Sequence, residues 1–283
     1  MDLTNSNDIR SLLQRYGFHF SKALGQNFLV ARWVPEKIAE CACADKQTGV
    51  LEVGPGIGCL TEQLSLRAGK VVSLEVDRRL QPLLAETLSS CQNVSILFSD
   101  VMKTDLHALI AEHFTGLRPV VCANLPYQIT SPVLLKFLDV GEIETITVMI
   151  QREVAERICA SPGSASYGAF GLRVQWEMES EILFDVPPSC FMPQPGVTSS
   201  VIRLKRREKP PVSVRDEAAL FRIIRAAFGQ RRKTLLNALT AQLPSVGKAE
   251  AEKALLSCGL NARVRGETLS IAQFAQLSDE LFP

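Results

Sequence analysis

The chain has 283 residues, 46% of them hydrophobic and 22% charged, with a formal net charge of +1; this excludes disordered and fibrous classes and fits one large domain plus a smaller one. No apolar run approaches the roughly 20 residues a bilayer crossing needs, and Met1-Asp2-Leu3-Thr4-Asn5-Ser6 lacks the basic start and apolar core of a secretion signal, so a cytoplasmic protein with no membrane partner is expected. The eight cysteines, at 41, 43, 59, 91, 122, 159, 190 and 258, lack the clustered spacing of a zinc site or a disulfide framework, and no metal is expected.

From about residue 48 short β-branched runs alternate with amphipathic stretches. Gly49–Val53, Val71–Val76, Val94–Phe98, Val120–Ala123 and Thr145–Ile150 read as strands, with helical patterns at Leu60–Ala68, Leu80–Leu88 and Pro132–Leu138 between them. Such alternation builds βαβ units and a parallel sheet. Glu181–Phe184 and Ser200–Leu204 follow with no helix between them, so they are expected to close the sheet as an antiparallel hairpin. Pro210-Pro211 then breaks the chain, and beyond it Leu220, Phe221, Ile224, Ala227 and Phe228 recur at helical spacing. With Lys248–Cys258 and Ser270–Leu281, residues 211–283 read as a small all-helical domain after an α/β domain over 1–210, of which 1–21 form an N-terminal arm.

The net charge hides an asymmetry. Between Val201 and Thr240 eleven Lys or Arg face only Glu208, Asp216 and Glu217, which leaves +8 there and −7 in the rest of the chain. A polyanion partner fits that split, and so does a solvated helix face.

The first strand runs into Glu52-Val53-Gly54-Pro55-Gly56-Ile57-Gly58. Glycines at Gly54 and Gly56 let backbone approach a ligand where open α/β sheets bind them. Glu75 ends the second strand, about twenty residues on, where an acid accepts ribose hydroxyls. Asp100, after the third strand, sits where it can meet an adenine amino group. Together they describe an adenosine-bearing ligand, and a nicotinamide dinucleotide would ask for much the same loop.

Asn124-Leu125-Pro126-Tyr127 follows the fourth strand. Methylating adenine N6 requires freeing a lone pair that is delocalised into the ring. Two acceptors on the two N–H bonds do this, and the Asn124 side-chain carbonyl and the Leu125 main-chain carbonyl offer them. Pro126 favours an extended Leu125, and Tyr127 supplies a stacking face. No strong base is needed, because the proton becomes acidic once nitrogen is alkylated, so catalysis rests on positioning and electrostatic preorganisation.

In these residues the chain resembles the KsgA-type (RsmA-type) small-subunit (16S) ribosomal RNA adenine N6,N6-dimethyltransferases, from about residue 22 to the C-terminus. The shared segments are Gly25-Gln26-Asn27-Phe28-Leu29, the glycine loop, Asn124–Tyr127, Gln151-Arg152-Glu153-Val154-Ala155, Tyr167-Gly168, Val186–Pro195 and Gln230-Arg231-Arg232-Lys233-Thr234-Leu235. The resemblance implies a Rossmann-like methyltransferase sheet and S-adenosyl-L-methionine as methyl donor, held by Asn27, Leu29, Gly54, Gly56, Glu75, Asp100 and Asn124. It implies that Phe191, on a proline-stiffened loop, stacks on the target base opposite Tyr127. It also implies dimethylation of two adjacent adenosines in the 3′-terminal hairpin, with immature small subunits as partner and Arg231, Arg232 and Lys233 gripping RNA. One departure is that Lys22 is followed by Ala23 and Leu24, where the family often has further basic residues. The rival readings are a macrolide-resistance-type 23S rRNA dimethyltransferase, a non-catalytic nucleic-acid-binding assembly or transcription factor, and a nicotinamide oxidoreductase, which leaves Asn124–Tyr127 unexplained. A monomer is the default.

Overall fold

The computed structural model describes every residue except Lys22, Ala23, Cys43 and Ala44, so the Lys22–Ala23 departure and Cys43 lie outside the described residues. Helix α1 (Ser6–Arg15), capped by the Asn5 side chain, the short strand β1 (Phe28–Leu29) and α2 (Trp33–Ala42) precede β2 (Thr48–Val53). Then α3 (Cys59–Arg67), β3 (Lys70–Leu74), α4 (Gln81–Thr87), β4 (Val94–Leu97), α5 (Leu106–His113), β5 (Arg118–Asn124), α6 (Thr130–Leu138) and β6 (Thr145–Gln151) alternate. They are followed by α7 (Arg152–Ile158), α8 (Ala169–Glu177), β7 (Met178–Val186), β8 (Phe191–Met192) and β9 (Ser199–Arg206). Four helices end the chain: α9 (Glu217–Gly229), α10 (Leu235–Gln242), α11 (Lys248–Ser257) and α12 (Ile271–Leu281). Among the described residues no helix is long and apolar enough to cross a membrane.

Every position of β2 is buried, the signature of a strand covered on both faces. The main sheet has the order β4-β3-β2-β5-β6-β9-β7, with β2–β3, β2–β5, β3–β4 and β5–β6 parallel and β9 antiparallel to β6. This is the Rossmann-like α/β arrangement, closed by an antiparallel strand. The connection expected to be a simple hairpin holds one more strand: β8 leaves it to pair antiparallel with β1, Leu29 opposite Phe191.

The chain forms two units, one of Met1–Ala155 with Ser180–Arg206 and the other of Glu156–Glu179 with Arg207–Pro283. The sequence pattern assigns 156–179 to the first domain, but its side chains pack elsewhere. Tyr167, Leu172 and Trp176 share a buried core with Leu220, Ile224, Leu239 and Phe274, and the Tyr167 hydroxyl donates to the Leu269 carbonyl at 2.8 Å. The helical unit is thus discontinuous in sequence. Three of its helices start on side-chain caps: Asp216 on α9, Thr234 on α10, and Ser270 with Gln273 in a capping box on α12.

Candidate active site

The connections from β2 diverge, one strand neighbour being β3 and the other β5, and ligands bind outside the carboxyl ends of parallel strands at such a switch point. Val53 ends β2, Leu74 ends β3, Leu97 ends β4 and Asn124 ends β5. Parallel pairing puts all four ends at one edge, over a cavity of about 260 Å³. Its walls include Asn27, Leu29, Gly54, Gly56, Glu75, Asp100, Asn124, Leu125, Pro126 and Tyr127. That is every sequence-predicted cofactor residue together with the whole tetrapeptide.

Gly54 and Gly56 take φ of +71° and +60°, in the left-handed region that favours glycine. A Cβ at Gly56 would come within 3.1 Å of the Phe28 ring, and one at Gly54 would sit 4.0 Å from the Asn124 carbonyl oxygen and Pro126 Cδ. The glycine loop and the tetrapeptide therefore face each other across the switch point. Glu75 is 5% exposed. Its Oε1 accepts the Asp77 N–H at 2.7 Å. Burial pushes its carboxyl up to about 7, while the Asp77, Val76 and Gly56 N–H groups favour the charged form and the Asp77 charge opposes it. Asp100 is less enclosed, and its Oδ1 accepts the Met102 N–H at 2.9 Å.

Asn124 donates its side-chain Nδ2 to the Asn27 carbonyl at 3.4 Å. Leu125 is buried and donates its N–H to the Met149 carbonyl at 3.2 Å. Among the described residues nothing donates to the Asn124 side-chain oxygen or to the Leu125 carbonyl. Pro126 is extended (φ −57°, ψ 130°) and leads into a 3₁₀ turn over Tyr127–Ile129. The Tyr127 hydroxyl shares a 2.7 Å hydrogen bond with Ser199 Oγ.

Phe191 departs from expectation. Instead of standing on an open loop it lies in β8, 2% exposed, within the core cluster of Leu29, Val34, Ile38, Val186 and Cys190. It does not line the cavity. The prolines around it signal a stiff segment, and here that segment is pinned by pairing with β1. Sequence reasoning also missed Glu52. This side chain is 1% exposed, lines the cavity wall, and takes Thr61 Oγ1 at 2.7 Å and Ser73 Oγ at 2.6 Å on Oε2. Among the described residues its Oε1 has no hydrogen-bond partner. Burial pushes its carboxyl up to about 7 against those two hydrogen bonds. An acid between apolar strand residues was the available signal. Among the described residues no cluster of His, Cys, Asp and Glu is built to hold a metal.

A family profile described as ribosomal RNA adenine dimethylase matches residues 17–282. The chain belongs to the ribosomal RNA adenine dimethylase family. A Geobacillus thermodenitrificans protein named ribosomal RNA small subunit methyltransferase A is 49% identical over 286 residues, covering 100% of this chain and 98% of that protein. A Shouchella clausii protein of the same name is 48% identical, covering 99% and 96%. Among solved structures, the 23S rRNA methyltransferase ErmE superposes with a TM-score of 0.68 at 27% identity, covering 90% of this chain and 100% of that one. A dimethyladenosine transferase from Plasmodium falciparum, with a TM-score of 0.74 at 24% identity over 88% of this chain and 95% of that one, has the same fold.

As an rRNA adenine dimethylase the protein is a methyltransferase whose methyl donor is S-adenosylmethionine. The residues present fit that donor. The cavity has a glycine-lined wall that any Cβ at Gly56 would narrow, and a carboxylate held at the end of β3 by backbone N–H groups. Its volume lies just below the roughly 300–1,000 Å³ of small-molecule sites.

In the helical unit the dimethylase's basic run divides by role. Arg231 donates Nε to Glu267 at 2.7 Å and Nη2 to the Ala165 carbonyl at 2.7 Å, so it ties the unit together. Arg232 and Lys233 are exposed and, among the described residues, carry no ion pair. Because the Leu235 N–H donates to the Val264 carbonyl at 2.7 Å, the loop carrying exposed Arg263 and Arg265 runs beside them. Other members of the run are also structural. Arg207 pairs with Glu179 and Arg222 with Asp216. In the sheet unit Arg203 pairs with Glu181, and Arg206 caps α6 by donating to the Val140, Leu138 and Ile143 carbonyls.

Proposed function

We propose that this dimethylase converts two adjacent adenosines near the 3′ end of small-subunit rRNA to N6,N6-dimethyladenosine, acting on immature small subunits in the cytoplasm as a monomer. The observation that carries the chemistry is the pair of unengaged carbonyl acceptors, Asn124 Oδ1 and Leu125 O, beside the glycine loop. The Asn124 amide donates one N–H to Asn27, and its oxygen, which accepts nothing among the described residues, is left for an amino group. The small-subunit choice rests on full-length relatives at 49% and 48% identity that carry that substrate in their names, against 27% for the large-subunit enzyme.

When bound, the donor supplies an electrophilic methyl group on a sulfonium. Asn27, Leu29, Gly54, Gly56, Glu75 and Asp100 hold it, with Glu75 on the ribose hydroxyls. The target base leaves its stack, as enzymes acting on bases require, and rests on the Tyr127 ring. Asn124 Oδ1 and Leu125 O accept the two N6 hydrogens and turn the lone pair toward the methyl. No side chain is needed as a strong base. Arg232 and Lys233, with Arg263 and Arg265 beside them, contact phosphates.

The test is methylation in vitro of immature small subunits and of protein-free large-subunit RNA, read by mass spectrometry of the nucleosides. N6,N6-dimethyladenosine in the small-subunit 3′ region alone is expected. Methylation of the large-subunit RNA alone overturns the substrate assignment.

A further inference from the structure

One wall of the cavity, Leu24–Leu29, comes from the segment that runs into and through β1, and it is fixed in two chemically different ways. The first is apolar. Phe18, Phe20 and Phe28 pack ring against ring at centroid distances of 5.0–6.1 Å, over Ile57 and Leu80. The second is polar and centres on Asp77, whose side chain is 5% exposed. Asp77 Oδ2 accepts Gln26 Nε2 at 2.8 Å and Arg79 Nη2 at 2.6 Å, and Oδ1 accepts Arg79 Nε at 2.8 Å. Gln26 in turn accepts the Ser21 N–H at 2.8 Å through its Oε1. The Asp77 main chain faces the other way and donates its N–H to Glu75 Oε1 at 2.7 Å. One residue therefore holds both the Leu24–Leu29 wall, by its side chain, and the acid assigned to the ribose, by its backbone.

We propose that the Gln26–Asp77 hydrogen bond is a latch that closes the Leu24–Leu29 wall over the bound methyl donor, with Gln26 and Asp77 as positioning residues that set how fast the spent donor leaves. This rests on the reading that the cavity beside Glu75 is the donor site. The aromatic anchor at Phe28 and the pairing of β1 with β8 stay in place while Leu24–Asn27 opens, so opening costs the charge-assisted Gln26–Asp77 bond and the longer Asn124–Asn27 bond and no core packing. Arg79 stays with Asp77 in both states, which keeps the carboxylate charged and below the usual carboxylate range. Catalysis by four successive transfers needs that wall to open between turnovers.

The experiment is stopped-flow dissociation of S-adenosylhomocysteine from the full chain, with amide hydrogen exchange of residues 24–29 in the bound protein. Gln26→Ala is expected to speed dissociation about tenfold, the worth of one hydrogen bond to a charged group, and to raise exchange across 24–29 while the thermal midpoint of the ligand-free protein holds. Gln26→Glu sets two carboxylates against each other and is expected to do the same at neutral pH, with recovery as the new carboxyl is protonated. A purely structural pair would lower the midpoint and leave the dissociation rate unmoved. Glu75→Ala separates the two assignments. Lost binding in Glu75→Ala with unchanged dissociation and exchange in Gln26→Ala overturns the latch alone. Undiminished binding in Glu75→Ala overturns the donor site and the latch with it.

Discussion

The Tyr127 hydroxyl meets Ser199 Oγ at 2.7 Å, joining the turn after β5 to the first residue of β9. Ser199 is fully buried, so this bond tethers the hydroxyl end of the Tyr127 ring to a fixed point. Tyr127→Phe keeps the face and loses the tether, and Tyr127→Ala loses both. Phenylalanine is expected to lower kcat/KM for RNA several-fold, the worth of about 1 kcal/mol, and alanine by ~10–100-fold, the worth of ~1–3 kcal/mol of base stacking. Steady-state kinetics on immature small subunits measure both, and equal losses would show that the ring face adds nothing beyond the tether.

Asn124→Ala removes one of the two acceptors without opening the core, since Asn124 is only half-buried. Methyl transfer is expected to fall by ~10²–10³, the scale for losing one preorganised transition-state hydrogen bond, with circular dichroism and thermal midpoint close to wild type. Tritiated-methyl incorporation near the wild-type rate in a folded variant would rule out the acceptor pair.

Glu52 and Glu75 are both pushed up to about 7 from the usual 4.5. Each carboxyl holds its proton more tightly folded than unfolded. The folded state therefore carries more protons on these two groups across that window, and the stability they contribute is greatest below about 4.5 and is lost as pH rises through about 7. Glu52→Gln keeps the size and removes one such group. The difference in unfolding free energy between variant and wild type is expected to move in the variant's favour across the same window, by at most about 3 kcal/mol. Urea titrations of ligand-free protein at a series of pH values give that difference. A flat difference would mean that Glu52 titrates in the fold as it does in the open chain.

Much of the site was legible because strand ends are legible. Runs such as Val120–Ala123 have one reading, and whatever follows each of them arrives at the same edge of a parallel sheet, so Gly54, Glu75, Asp100 and Asn124 meet without any knowledge of loops. Segment 156–179 was not legible, because its helical pattern says it is buried but not against what; Tyr167 and Trp176 find their partners about 50 to 100 residues on. Phe191 was misplaced for a related reason. Prolines mark a stiff segment, and only the pairing of β8 with β1 decides whether the ring points out or in. Phe191→Ala is accordingly expected to cost ~3–5 kcal/mol of stability, as for a core aromatic.

The charge run shows the same limit at single-residue scale and yields the sharpest contrast. Arg231, Arg232 and Lys233 are adjacent and look equivalent, but among the described residues only the Arg231 side chain is engaged, with Glu267 and the Ser164 and Ala165 carbonyls. Arg231→Ala should therefore loosen the helical unit, at about 1–2 kcal/mol for partly exposed charge-assisted bonds, and lower the thermal midpoint. Arg232→Ala and Lys233→Ala free nothing that is bonded, so their midpoints should match wild type. Their effect belongs to RNA affinity. Removing a cation that neutralises one phosphate should make the slope of log affinity against log salt shallower by ~0.7–0.9. Filter binding to small-subunit RNA at several salt concentrations, beside calorimetry on the same variants, separates the two behaviours. A shallower slope for Arg231→Ala with an unchanged midpoint would reverse the assignment, because the ion pair with Glu267 would then be incidental to the fold and the arginine free for RNA.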